Sequence, residues 1–403
     1  MAEASSRYRY VILTVTWVAY AVSSACRLNL GPLAPFMRAD LSLSIAELGL
    51  FYSFTYLAYI CAQMPAGWFV DRFGIRPLLV VSQVVVGVAG LLMYTVTSVL
   101  QGWLVEFLAG LGAGSLLVCT TKAIAMWFPT KERATAMGIQ QASLNLGGVG
   151  TAIMMPAIAL ALGWRFGFVL MGAVAVVSAG TSLALFREPP SIAVASQRSE
   201  IRPKRLLGKV LTNRNIVLTA IGAMFLVIVE FCLIMNLVLF MTESILLSVV
   251  VASGYLALVE GAGALGKPLF GAMSDRLLSA KRRPIWIFAG ITSLACSVWM
   301  VFLSPQTPAL SMAAMLALFG LTAIGWGGLF LTMMGELAGK ELSGVASGFG
   351  LTMTSLGIVI GPPIFGLIVD TTGSYQLAWA FTAICATVGT LLISLIREEK
   401  KTM

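Results

Sequence analysis

Histidine is missing from all 403 residues. Its absence removes imidazole bases, imidazole metal ligands and histidine proton relays. Charge is scarce as well: Asp, Glu, Lys and Arg make up 11% of the chain, where soluble domains carry about a quarter. Cysteine is sparse, and Cys26, Cys61, Cys119, Cys232, Cys296 and Cys385 form no CxxC pair. All six fall in apolar runs, so free, membrane-buried thiols are expected rather than disulfides or a metal site. No nucleotide-binding glycine loop, metal-ligand cluster or nucleophile-base pair stands between those runs. No catalytic residue, metal or cofactor is therefore assigned, and the chain is not expected to be an enzyme.

What is present is apolar surface. Hydrophobic residues make up 59% of the chain and the mean hydropathy is +0.93. Stretches of about 20 apolar residues, enough to cross a hydrocarbon core as helix, fall at 9–36, 44–70, 76–98, 100–122, 135–160 and 164–186. Six more follow at 215–241, 248–272, 284–303, 308–333, 343–369 and 375–396. Helices are expected because they satisfy their own backbone hydrogen bonds in lipid. Residues 187–214, rich in Pro, Ser and basic side chains, read as a linker between a unit at 1–186 and a unit at 215–403.

An even number of spans puts both termini on one side. With Arg27, Lys122 and Lys267 set aside, only Arg38 and Arg165 of the 26 basic residues fall on the opposite side. Basic loops stay in the cytoplasm, so both termini are expected there. Topology and anionic headgroups account for the net charge of +9 without a nucleic-acid partner.

A short motif occurs twice. "GWFVDRFGIR" starts at Gly67 and "GAMSDRLLSA" at Gly271, each at the end of the second span of its six, which points to a duplicated six-helix unit. Gly67, Asp71, Arg72, Gly74 and Arg76, echoed by Gly271, Asp275 and Arg276 ahead of Lys281, Arg282 and Arg283, resemble the loop motif of the major facilitator superfamily. The resemblance covers essentially the whole chain. It implies an all-α membrane protein of twelve transmembrane helices in two pseudo-symmetric six-helix bundles, with Asp71, Arg72, Arg76, Asp275 and Arg276 as gate residues. A solvated basic turn serving only topology is the plainer alternative.

The fourth span adds detail. "TTKAIAMWFPTKERATAMGI", carrying Lys122, Trp127, Phe128, Pro129, Glu132 and Arg133, looks like the anion:cation symporter branch. That likeness places Arg27 where the branch's substrate-binding arginine stands, with Cys26 in place of the adjoining acid and Ala113 in place of a helix-4 carboxylate. Independently of any family, a guanidinium in a membrane helix costs roughly 2.5–3.5 kcal/mol and normally faces a partner or a wet cavity. Snorkelling to the outer surface is the rival account of Arg27. An anionic carboxylate suits the planar two-donor fork of arginine.

In the eighth span Glu260 and Lys267 are seven residues apart and share one stripe of the helix. Lys267 resembles the basic residue that binds carboxylate in monocarboxylate and oxalate/formate transporters. The alternative is a snorkelling lysine with Glu260 as its counter-ion. Three acids lie inside spans and can carry protons: Glu260 first, Glu230 second and Glu106 third. Glu106 replaces an arginine of the superfamily's fourth helix, and it either supplies a coupling acid or pairs with Arg27. Further polar candidates are Tyr52, Tyr56, Tyr59, Gln140, Asn145, Asn236 and Trp326. The fifth span lacks the Gly-Pro and paired-Gly pattern of many drug antiporters.

The expectation is a monomeric secondary transporter in the inner membrane of a bacterium. It moves a small organic anion, a carboxylate, together with protons by alternating access. Arg27, Lys122, Lys267, Asn145, Tyr56 and Asn236 form the substrate set, between the two halves near the bilayer midplane. The competing readings are a proton-coupled exporter of a neutral or cationic amphiphile, and a substrate sensor that does not transport.

Overall fold

The structure is a computed structural model that describes residues 2–188, 203–278 and 281–396. Twelve helices are long and apolar enough to cross a membrane, and they make the chain an integral multi-pass protein. They are α1 (Tyr8–Leu41), α2 (Ile45–Phe73), α3 (Ile75–Thr95), α4 (Val99–Trp127), α5 (Thr135–Leu162), α6 (Trp164–Leu185), α7 (Arg214–Glu243), α8 (Val249–Leu277), α9 (Arg283–Val301), α10 (Ala309–Gly339), α11 (Leu342–Thr372) and α12 (Tyr375–Ser394). Among the described residues there is no strand. Of the expected linker, residues 189–202 lie outside the described ones, and a short helix, Pro203–Thr212, precedes α7.

Each apolar run appears as a helix, but α1 continues to Leu41 rather than residue 36, and α10 to Gly339 rather than 333. Hydropathy drops at Arg38 and Asp40 while backbone hydrogen bonding persists, so composition places the first end too early. The helix stops at Ser42, which adopts φ 53° and ψ 41°, a left-handed C-cap conformation. Helix starts are set by side chains: Ser98, Asn213, Ser248 and Ser374 accept from backbone N–H groups of the first turns of α4, α7, α8 and α12, as N-caps do. Between α10 and α11 the chain breaks at Gly339, whose φ of 67° and ψ of 175° only glycine reaches without strain.

The spans cluster into two compact units, Met1–Leu43 with Leu50–Arg198 and Ser44–Gly49 with Ser199–Met403. In the first, α1 packs on α5 and α6, and α3 on α4 and α6. Glycines of α4 let α2 approach closely: an added Cβ would fall 2.0 Å from the Thr55 carbonyl oxygen at Gly110 and 2.3 Å from that of Tyr59 at Gly114. Backbones brought together this way rely on van der Waals packing, the main source of helix association in lipid. In the second unit α8 packs on α10, α9 on α12, and α7 along α11 and α12. There an added Cβ at Gly320 would meet the Val259 carbonyl oxygen at 2.2 Å. Also in the second unit, the Asp370 carboxylate ending α11 accepts from the N–H groups of Ile45 and Ala46 at 2.9 and 2.8 Å, and so caps a helix start whose amides lack intrahelical partners.

Candidate functional site

In the first unit the α2–α4 contact places Tyr56 and Tyr59 against α1, and the Arg27 side chain closes on them. Arg27 is 3% exposed. One terminal nitrogen donates to the Tyr56 hydroxyl at 3.1 Å and the other to Ser24 Oγ at 3.4 Å. The guanidinium carbon stands 5.6 Å from the Tyr56 ring centre and 5.2 Å from that of Tyr59, within cation–π range. Arg27 Nε has no hydrogen-bond partner. Among the described residues no carboxylate ion-pairs with Arg27. Aromatic faces and hydroxyls soften the cost of this buried charge without neutralising it, whereas a bound anion would do both.

Glu106 does not form the ion pair with Arg27 that the sequence left open. It is buried in α4, with Thr55 Oγ1 2.8 Å from one carboxyl oxygen, and Arg27 acts on it only through space. Cys26, at the place of the expected acid, directs its sulfur to the Met171 carbonyl at 3.6 Å. All six cysteines are free.

The second unit gathers Glu230 from α7 with Glu260 and Lys267 from α8. Glu230 and Glu260 are 8% and 1% exposed, Lys267 is half-buried, and the ammonium interacts electrostatically with both carboxyls. Two carboxyls and one ammonium thus share one electrostatic cluster in the second unit. Asn236 donates to the Cys232 carbonyl of its own helix at 3.1 Å, and Asn145 is buried in α5.

Lys122 does not join Arg27 in the first unit but is held at the loop motif. Its ammonium is 2.6 Å from Asp71 and 3.1 Å from the Gly67 carbonyl oxygen, within the loop motif that the sequence read as a gate. The same region holds Arg72, which lies over the Trp68 and Phe73 rings, both at 5.5 Å, and Arg76, which donates its backbone N–H to Glu188 at 2.6 Å and its side chain to the Leu183 carbonyl. In the second unit Asp275 pairs with Arg282, which also reaches Glu336 at 3.5 Å, while Arg276 is exposed. Burial pulls the Arg282 guanidinium down, but the Asp275 hydrogen bond and the charges of Glu336 and Asp275 outweigh it and hold the group above its ordinary value.

Sequence reasoning passed over four participants: Asn29, Thr55, Arg282 as the partner of Asp275, and Asp370. Asn29 had a signal, since an amide in the middle of the first apolar run needs a partner. The others are too ordinary by type and position to stand out.

The family model described as Major Facilitator Superfamily matches residues 16–362. A probable sulfoacetate transporter of Cupriavidus necator is 27% identical, the match covering 95% of this chain and 92% of that one. A probable galactarate/D-glucarate transporter of Bacillus subtilis is 24% identical over 96% and 91%, and a membrane sensor protein of Salmonella typhimurium is 27% identical over 86% and 83%. Among solved structures, a bacterial homologue of the human lysosomal transporter Spinster superposes with a TM-score of 0.81 at 17% identity, covering 96% of this chain and 97% of that one. With twelve membrane-spanning helices and a family match over most of its length, the chain belongs to the Major Facilitator Superfamily and is a transporter-type membrane protein, not an enzyme.

Proposed function

We propose that this protein moves a small organic anion, a carboxylate, across the membrane by alternating access with protons. Arg27 carries this reading: it is a permanently charged, almost fully buried group held by Tyr56 and Ser24, with no carboxylate partner among the described residues. An anion there supplies the missing charge, and the planar guanidinium suits a carboxylate. The sulfoacetate and galactarate/glucarate relatives agree with an organic acid substrate. In the second unit, Lys267 with Glu230 and Glu260 provides a cluster whose proton count changes with its surroundings, which suits proton coupling. The protein is proposed to work as a monomer in a bacterial inner membrane with both termini in the cytoplasm. The Lys122–Asp71 pair belongs to the gate in this reading, so Lys122 leaves the substrate set.

A thermal-shift screen of purified protein against carboxylates, sugar acids, organophosphates and cationic drugs tests it. Stabilisation by carboxylates that disappears in Arg27→Ala is the expected result. Stabilisation by cationic drugs alone would overturn it. The relative described as a membrane sensor supports a second reading, in which the anion is bound but not moved. Counterflow of radiolabelled anion in proteoliposomes separates the two, because a sensor binds without exchange.

A further inference from the structure

The first unit contains a small cavity of about 10 Å³, room for one water molecule. Asn29, Cys26 and Glu106 line it, and the remaining wall comes from α3, α4 and α6. Asn29 joins the two helical stretches of α1 and is fully buried. Neither its amide nitrogen nor its amide oxygen has a hydrogen-bond partner. Two donors and an acceptor are thus held next to a buried carboxyl, in a space that fits one water. A water bridging Asn29 to Glu106 would have the two or more polar partners that buried waters require.

The other side of Glu106 bears on its proton. Thr55 Oγ1 lies 2.8 Å from both the Phe51 carbonyl oxygen and a Glu106 carboxyl oxygen. A hydroxyl has one proton and two lone pairs. The carbonyl can only accept, so if Thr55 donates to Phe51, the contact with Glu106 is complete only when the carboxyl carries a proton and donates it to Thr55.

The charged and titratable groups facing Glu106 are few. From α1 they are Arg27 and Cys26. α2 presents the Thr55 hydroxyl, with Tyr56 beside it engaged on Arg27. α3 contributes Val86, Ala89 and Gly90, and α6 contributes Phe168 and Met171, none of them titratable. Arg27 is therefore the one permanent charge bearing on this carboxyl among the described residues.

We propose that Asn29 and Glu106 form a buried site for one water and one proton, and that neutralising Arg27, as an anion would, loads the proton onto Glu106. The inference deepens the reading of Arg27 as the anion site and rests on it for its role in transport. The positive guanidinium favours the ionised carboxylate; an anion on Arg27 cancels that field, and the carboxyl then takes a proton from solvent through the Asn29-bound water. Only an O–H bond forms, and it breaks again when the anion leaves. Binding linkage is reciprocal, so a protonated Glu106 in turn strengthens anion binding.

Infrared difference spectroscopy of the full-length protein, titrated with pH in the absence of any anion, reads the site directly. A protonated-carboxyl band present in the wild type and absent in Glu106→Gln is expected. Arg27→Gln, which removes the charge as a bound anion would, should move the band's midpoint upward by about one pH unit or more, a tenfold gain in proton affinity. Asn29→Leu, which fills the cavity with an apolar group, should shift the band's frequency; Asn29→Ala is the substitute should the leucine variant fail to fold. A band unchanged in Glu106→Gln, a midpoint unmoved in Arg27→Gln, or a frequency unchanged in a folded Asn29 variant would each overturn the proposal. A high-resolution map of the wild type should show one water within hydrogen-bond distance of Asn29 and Glu106, and clear absence of density there would also overturn it. Since no anion is added, these outcomes are independent of the thermal-shift screen, so failure of the anion reading and failure of the proton site are separately visible.

Discussion

The ammonium of Lys122 lies 2.6 Å from the carboxylate of Asp71, joining α4 to the end of α2. The Asp71 side chain is 74% exposed, and ion pairs of this kind contribute about 0–1 kcal/mol. Asp71→Asn should therefore leave the thermal midpoint almost unchanged. If the pair acts as a gate latch, the same substitution slows turnover markedly while anion affinity stays within a few-fold of wild type. Unchanged transport combined with lost binding in the proteoliposome and thermal-shift assays would contradict the gate role.

The corresponding aspartate in the second unit is held differently. Arg282 is 9% exposed and reaches both Asp275 and Glu336, so removing it takes one ion-pair partner from each of two carboxylates at once. Arg282→Met should destabilise the second unit by about 1–3 kcal/mol, discounted for the exposure of Asp275. Arg282→Lys should recover only part of this, because an ammonium lacks the fork that spans two acceptors. Thermal unfolding of the two variants in detergent, compared with wild type, provides the measurement.

Coupling can be tested on Glu230 and Glu260, both of which interact with Lys267. Glu260→Gln or Glu230→Gln should leave anion counterflow largely intact and stop uptake driven by an inward acid gradient, since exchange needs no net proton movement. Gradient-driven uptake that survives in the double Gln variant would move the coupling role to Glu106.

Packing should matter to chemistry at Gly110. A Cβ there would sit 2.0 Å from the Thr55 carbonyl oxygen, one turn along α4 from Glu106. Gly110→Ala forces α2 and α4 apart, at a cost of about 1–3 kcal/mol, and should disturb the Thr55–Glu106 contact. The expected readout is a lowered melting temperature together with an altered protonated-carboxyl band; Gly254→Ala, where nothing lies within 4 Å of the added carbon, serves as the control that changes neither.

Composition and order along the chain were sufficient for the twelve spans, the helical fold and the superfamily. Spanning a hydrocarbon core demands about 20 apolar residues with every backbone group satisfied, and that demand is written locally, in length and hydropathy. Arg27 was legible for the same reason, because a permanent charge inside an apolar run is conspicuous wherever its helix points. Who faces whom was not legible. Lys122 reads as a substrate ligand and lies against Asp71, Glu106 reads equally as a coupling acid or a partner for Arg27 and contacts Thr55, and nothing in the order of residues sets Asn29 beside a cavity that Glu106 also lines. Lipid-facing and protein-facing sides of these helices are both apolar, so hydropathy does not report their rotation. Rotation is set instead by where glycines such as Gly110, Gly114 and Gly320 let backbones touch. Those contacts join residues dozens of positions apart, and only the packed bundle decides them.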